Sequence, residues 1–203
     1  MSKLLLATAN AKKLIELQRI LDNALGTGRC SLVGLGDFPG YPDVPETGLS
    51  FGENALIKAR AGVAKTGLPT VADDSGLAVD AMGGMPGIFS ARWSGRHGDD
   101  AANLNLLLAQ LSDVPDEQRG GAFVCAAALV LPSGREHLVE CRMPGRIIRT
   151  GRGDGGFGYD PIFVADGKDR TNAELTPVEK DAISHRGKAF RALSKVIAKE
   201  LRG

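Results

Sequence analysis

The stretch Val71-Ala72-Asp73-Asp74-Ser75-Gly76 sets two consecutive carboxylates and a hydroxyl between two apolar runs, residues 68–72 and 77–79. Neighbours on an extended strand point to opposite faces. Asp73 and Asp74 are therefore expected to have different partners, one at a cleft and one structural. Carboxylates clustered between buried strands are costly unless a cation or hydrogen bonds answer them. The same four residues, Asp-Asp-Ser-Gly, also suit an Asx-turn at a strand end. Taken alone, the stretch supports a metal site and a turn equally.

Further groups with chemical potential lie at four places. Thr8, Asn10 and Lys13 follow an apolar strand at residues 3–7 and open a helix with Leu14, Leu17, Ile20 and Leu21 on one face. Backbone N–H groups at such a junction attract anions, although this stretch reads first as an ordinary capped helix with a solvated lysine. It is not a P-loop, because GxxxxGK[ST] is absent. Glu46-Thr47-Gly48 precedes Ser50-Phe51-Gly52-Glu53, a capping box that opens a helix to about residue 65. Asn54 and Lys58 are spaced i, i+4 and share a face of that helix, as any polar helix surface would. Residues 151–161 hold Gly156-Phe157-Gly158-Tyr159-Asp160, and two aromatics in so glycine-rich a loop suit a ring-stacking ligand as well as a long hairpin loop. Finally, Thr176-Pro177-Val178-Glu179 is a second capping box, and Lys180 follows it. Ser184 then precedes His185 and Arg186 at the start of a last helix that turns Phe190, Leu193, Val196 and Ile197 inward. A guanidinium fork beside helix N–H groups grips phosphate or carbonyl oxygen.

The elements that must position these groups alternate between strand and helix at first and end in a run of strands before the last helices. Strands are expected at residues 31–35, 122–131 and 136–142, the last two forming a hairpin around Pro132-Ser133-Gly134-Arg135. A third short strand is expected at 146–149. Asp99 or Asp100 caps a helix whose Leu104, Leu107, Leu108 and Leu111 form a core stripe. This pattern predicts an α/β fold, a mixed sheet flanked by helices with a β-rich second lobe. At 203 residues with no repeat or linker, the chain is expected to be a single domain over 1–203. Its net charge of +1 gives no field for nucleic acid or an anionic membrane. Cys30, Cys125 and Cys141 are odd in number and lack CxxC spacing, so neither a disulfide framework nor a zinc site is expected. No signal peptide or bilayer-length run is evident, and a cytoplasmic location is expected.

Taken in order, Thr8-x-Asn10-x-x-Lys13, Glu46-Thr47-Gly48 with Asn54 and Lys58, Ala72-Asp73-Asp74-Ser75-Gly76-Leu77, and Gly156-Phe157-Gly158-Tyr159-Asp160-Pro161 with Ser184-His185-Arg186 resemble the noncanonical purine nucleoside triphosphate pyrophosphatases, the inosine triphosphatase family. Gly83-Gly84-x-Pro86-Gly87 and Ser90-Ala91-Arg92 fit the same pattern. Ala9 departs from it, standing where the family commonly has glycine. The resemblance implies an elongated two-lobed fold with a cleft between the lobes, a homodimer, and Mg²⁺-dependent hydrolysis of ITP, dITP and XTP to monophosphate and pyrophosphate. It implies Asp74 as proton acceptor and metal ligand with Glu46, while Asp73 either supports Asp74 or binds metal. Lys13, Lys58, Lys180 and Arg186 would meet the triphosphate, helped by Thr8, Asn10, Asn54 and Ser75. Phe157, Gly158, Tyr159 and Asp160 would hold the base, with His185 and Arg186 donating to its 6-oxo group. Trp93 and the 83–87 loop are the expected dimer contacts. Two other readings are a pyrimidine-directed pyrophosphatase like the Maf proteins and a nucleotide-binding module without catalysis. The neutral charge opposes nucleic acid, and the carboxylates at 46, 73 and 74 exceed what a phosphate cradle needs.

Overall fold

The computed structural model describes residues 2–8 and 11–201. Among these, six strands form one sheet in the order β2-β1-β3-β4-β5-β6. They are β1 (Ser2–Leu6), β2 (Cys30–Gly34), β3 (Thr70–Val79), β4 (Gly120–Val130), β5 (Glu136–Ile147) and β6 (Phe163–Ala165). The helices are α1 (Ala11–Leu25), α2 (Phe51–Thr66), α3 (Asp100–Gln110), α4 (Pro177–Ile183) and α5 (His185–Glu200). Pairing is parallel for β1 with β2 and with β3, and antiparallel for β5 with β6, so the sheet is mixed as expected. Among the described residues, no helix is long and apolar enough to cross a membrane.

Two compact units divide the chain: Met1–Asp74 with Ala126–Glu140 and Lys188–Gly203, and Ser75–Cys125 with Cys141–Gly187. Neither is continuous in sequence. β3 changes unit between Asp74 and Ser75, the middle of the carboxylate stretch.

In the first unit, β1 reads Leu4-Leu5-Leu6 because parallel strands are buried on both faces, and all three are fully buried. α1 lays Leu17, Ile20 and Leu21 into this core. α2 starts at Ser50, whose hydroxyl accepts from Glu53 N at 3.2 Å. The Glu53 carboxylate reaches back to Leu49 N (2.6 Å), one residue further than a standard capping box. Gly67, at φ +68°, ends the helix in the left-handed conformation that glycine adopts without strain. Arg60 on α2 holds Glu136 of β5 with two bonds of 2.7 Å, and Arg135 and His137 both hold Glu200 of α5.

The second unit packs Leu77 and Val79 of β3, Leu107 of α3 and Leu111 at its C-cap, Phe123 of β4, Met143 and Ile147 of β5 and Phe163 of β6 into one core. Trp93 packs against this core and its indole donates to Gln110 (2.7 Å), so its ring is largely a packing element.

One open reading is decided and one expectation corrected here. The carboxylate stretch is not a turn, since β3 runs unbroken from Thr70 to Val79. Gly76 lacks a side chain for packing rather than for turning: a Cβ there would stand 2.5 Å from Gly87 O and 2.9 Å from Ser90 Cβ. The separate strand expected at 146–149 belongs instead to β5, which extends through Pro144-Gly145 to Ile147. Pro144 is tolerated because its pairing partner strand has already ended there; Asp166 N still donates to Pro144 O at 3.0 Å.

α2 approaches β3 closely at Gly62, where a Cβ would meet Thr70 Oγ1 at 2.8 Å and Leu5 Cδ2 at 3.0 Å. Gly62→Ala is therefore expected to destabilise the protein by about 1–3 kcal/mol through overpacking. A lowered urea midpoint at unchanged slope would show it.

Candidate active site

The alternation of β3 sends Asp73 and Asp74 to different partners, as their adjacency requires. Asp73 is almost wholly buried, and both its oxygens accept from Lys13 Nζ, at 2.9 and 2.8 Å. Lys13 reaches it from the first turn of α1, so the lysine is tied to a carboxylate rather than standing solvated. Asp74 meets α2. Asn54 donates to its Oδ2 at 3.1 Å, and Lys58 Nζ stands 3.4 Å from Oδ1 and 2.8 Å from Glu46 Oε1. The i, i+4 spacing of Asn54 and Lys58 thus converges on one carboxylate. Asn54 is itself aimed by Gly48, whose N–H donates to its Oδ1 at 2.8 Å. A Cβ at Gly48 would lie 2.6 Å from Glu53 Cβ, so the Glu46-Thr47-Gly48 segment needs glycine at its end.

These placements set the charges. Burial pushes the Asp74 carboxyl above its ordinary value; the Glu46 charge adds to this, and Lys58 and Asn54 oppose it. Burial works against the Lys58 charge, but Asp74 and Glu46 outweigh it and hold the ammonium above its ordinary pKa. Lys58 therefore bridges two carboxylates as a permanent cation. Among the described residues no group of three or more metal-ligating side chains occurs. Glu46 and Asp74 are nevertheless a suitable pair for a hard ion that takes most of its shell from phosphate and water. Thr8, at the end of β1, belongs to the same unit, and Asn10 lies outside the described residues.

The second unit carries a different set of groups. Ser75 Oγ accepts from Arg186 Nη2 at 3.1 Å. Phe157 is 57% exposed, unusual for a phenylalanine, with Lys180 Nζ 4.9 Å and Arg186 Cζ 5.9 Å from its ring centroid. The loop carrying the ring is held from beneath. Asp160 is buried and accepts from Phe157 N (2.8 Å), Asn172 Nδ2 (3.2 Å) and Lys180 Nζ. Gly158 N donates to Asp100 (2.8 Å), and Tyr159 turns inward, its hydroxyl donating to Ser90 O at 2.9 Å. Burial, with the Asp100 charge, pushes the Tyr159 pKa far up, so the phenol remains a neutral donor. His185 opens α5 as expected, is buried, and stacks on Phe123 with centroids 5.1 Å apart and planes at 11°.

Sequence reasoning missed Asp100, Ser90, Asn172 and Phe123 as supports. Ser90 stood in the Ser90-Ala91-Arg92 pattern, and Asp100 carried a local signal: of two adjacent aspartates one caps α3, and that is Asp99, which accepts from Ala102 N at 3.1 Å. Asp100 reaches the loop instead.

Residues 4–196 match the Ham1 family model. The chain belongs to the Ham1 family. A relative in Nocardia farcinica named dITP/XTP pyrophosphatase is 63% identical over 198 residues, covering 98% of this chain and 96% of that protein. The crystal structure of a Mycobacterium abscessus nucleoside-triphosphatase, also called dITP/XTP pyrophosphatase, is 64% identical, with a TM-score of 0.81 over 94% of this chain and 97% of the other. A Ham1 protein from Coxiella burnetii shares 40% identity and superposes with a TM-score of 0.90 over 98% of this chain and all (100%) of the other. The mixed α/β fold is that of these Ham1 structures.

α4 presents Lys180 to the Phe157 ring, and its N-terminus is held by a complete capping box between Thr176 and Glu179. Arg170 first, then the Thr176 N–H and hydroxyl, draw the Glu179 carboxyl down to about 2. A depressed carboxylate contributes fully above its unfolded value of 4.5 and is lost as pH falls through the folded one. The cap is therefore expected to persist through mildly acidic solution. An NMR titration of the side-chain carboxyl should give Glu179 a midpoint near 2, well below the ordinary 4.5.

Proposed function

We propose that the protein hydrolyses noncanonical purine nucleoside triphosphates, dITP and XTP among them, to the monophosphate and pyrophosphate, cutting the bond between the α- and β-phosphates. The observation that carries this reading is the buried Asp74 carboxylate, held by Asn54 and Lys58 with Glu46 on the same lysine, the groups that a metal-assisted attack on phosphate needs. The names carried by relatives about 60% identical support the same substrate class.

Asp74 is the proton acceptor. Burial raises its pKa, which makes it a better base than an ordinary carboxylate. It takes the proton of a water whose oxygen forms the new bond to the α-phosphorus. The bond to the bridging oxygen breaks and pyrophosphate leaves. Asn54 fixes the Asp74 carboxylate in one orientation, and Lys58 and Lys13 offset the charge that develops on the phosphate oxygens. Glu46 and Asp74 would hold Mg²⁺, which supplies further neutralisation of that charge. Asp73, with both oxygens accepting from Lys13, would hold that lysine in place, which favours the supporting role.

Phe157 stacks the base, and Lys180 and Arg186 beside it stiffen the ring and face the substrate's anionic groups. Donors at the start of α5, from His185 and Arg186, suit the 6-oxo group of hypoxanthine or xanthine. Adenine presents its own donor there and leaves these groups unpaired, which discriminates strongly. Tyr159 and Asp160 act through Ser90, Lys180 and the Phe157 amide, holding the loop rather than touching the base. The Maf-like alternative predicts the opposite preference, for pyrimidines.

Asp74→Asn is expected to lower turnover by about 10²–10⁴-fold with the fold intact by circular dichroism. With the wild type, ITP should yield IMP and pyrophosphate, with orthophosphate only after inorganic pyrophosphatase is added; EDTA should stop the reaction and Mg²⁺ restore it. A near-normal rate for Asp74→Asn, or direct release of orthophosphate, contradicts the mechanism. Phe157→Ala should raise KM for dITP by about 5–150-fold, the worth of one base–aromatic stack. A panel of dITP, XTP, dATP and dTTP that favoured dTTP would replace the purine reading with the pyrimidine one.

A further inference from the structure

Cys125 and Cys141 are separated in sequence by a whole hairpin, yet the register of β4 and β5 brings them together. At the turn, Leu131 N donates to Arg135 O at 2.9 Å; at the far end, Ile147 N donates to Arg119 O at 2.9 Å. The same number of residues separates 119 from 131 and 135 from 147, so no net insertion lies between the two bonds. The burial of β5 agrees. Exposed Glu140 and Arg142 alternate with the less exposed Cys141 and buried Met143, with no break in step. Counting in from either end sets Cys125 directly opposite Cys141, and Phe123 directly opposite Met143.

Directly opposed residues of an antiparallel pair share a face and have Cα atoms about 4.5–5.5 Å apart. A disulfide needs Cα atoms about 4.4–6.8 Å apart. The two thiols meet that condition, and they differ in access: Cys125 is fully buried and Cys141 is partly open to solvent. Cys30, the third cysteine, is buried in the other unit.

We propose that Cys125 and Cys141 form a cross-strand dithiol that closes to a disulfide when the protein meets a small-molecule disulfide. The Cys141 thiolate attacks one sulfur of the oxidant, forming a mixed disulfide and releasing the first thiol. Cys125 then gives up its proton and attacks the Cys141 sulfur, expelling the second thiol. Two protein thiols are oxidised by two electrons, and one small disulfide is reduced to two thiols. The accessible cysteine reacts first and the buried one resolves it, the arrangement of a reversible redox site.

Closure has a route to the base-reading groups. A disulfide holds its Cβ atoms about 3.8 Å apart against about 4.5–5.5 Å for an ordinary cross-strand pair, so the two Cβ atoms must draw together and the local twist of β4 against β5 must change. Phe123 stands two residues from Cys125 on the same face and stacks on His185. Oxidation therefore shifts the support of His185. This consequence rests on the function proposed above; formation of the bond does not.

The test uses the Cys30→Ser protein, which keeps only the two cysteines in question, treated with bis(2-hydroxyethyl) disulfide. Intact mass should fall by two hydrogens with no adduct retained, peptide mapping should link Cys125 to Cys141, and dithiothreitol should reverse both changes. Cys141→Ser should show neither the mass loss nor the link. An adduct that persists on Cys141, or an unchanged mass, overturns the proposal, and this readout is independent of any enzymatic activity. On the same oxidised sample, KM for dITP should rise by about fivefold or more and recover on reduction. A disulfide that forms without changing KM overturns the coupling to His185.

Discussion

Two adjacent carboxylates in the middle of a buried strand are the constraint on which this structure depends. Neither Asp73 nor Asp74 can be left to water, and an isolated ionised carboxylate in such a place costs several kcal/mol or more. The strand's own alternation solves half the problem by parting them. The rest is solved by lysines from two helices: Lys13 at the start of α1 for Asp73, and Lys58 in the middle of α2 for Asp74. The positions of α1 and α2 against β1 and β3 are thus tied to electrostatics as well as to the leucines beneath them.

The two aspartates are chemically unequal as a result. Both oxygens of Asp73 accept from Lys13. Asp74 shares its lysine with a second carboxylate, Glu46, and is raised rather than depressed. Burial and partial neutralisation oppose each other at this carboxylate. Asn54, oriented in turn by the Gly48 amide, donates to it.

The second unit follows a different rule. An exposed aromatic ring is useful only if its loop is rigid, and residues 151–160 contain too many glycines to be rigid on their own. Three anchors supply the stiffness: Asp160 under the Phe157 amide, Asp100 under the Gly158 amide, and the Tyr159 hydroxyl on Ser90. Asp160 also holds Lys180, so one buried carboxylate orders both the ring and the cation beside it.

Much of this was written in local sequence. The strand and helix periods, the helix caps at Ser50 and Thr176, the opposed directions of Asp73 and Asp74, the shared face of Asn54 and Lys58, and the start of the last helix at His185 all follow from spacing and backbone geometry within a few residues. What sequence could not decide was anything that depends on distant partners. Whether Asp-Asp-Ser-Gly bends or stays extended was settled by Ser90, which packs where Gly76 has no side chain. Whether Lys13 was solvated or paired was settled by an aspartate 60 residues away. Nothing local marked Ser90 as the partner of the Tyr159 hydroxyl or Lys180 as the partner of Asp160. Local chemistry fixes which bonds a residue is able to make; only tertiary packing decides which partner is close enough to make them.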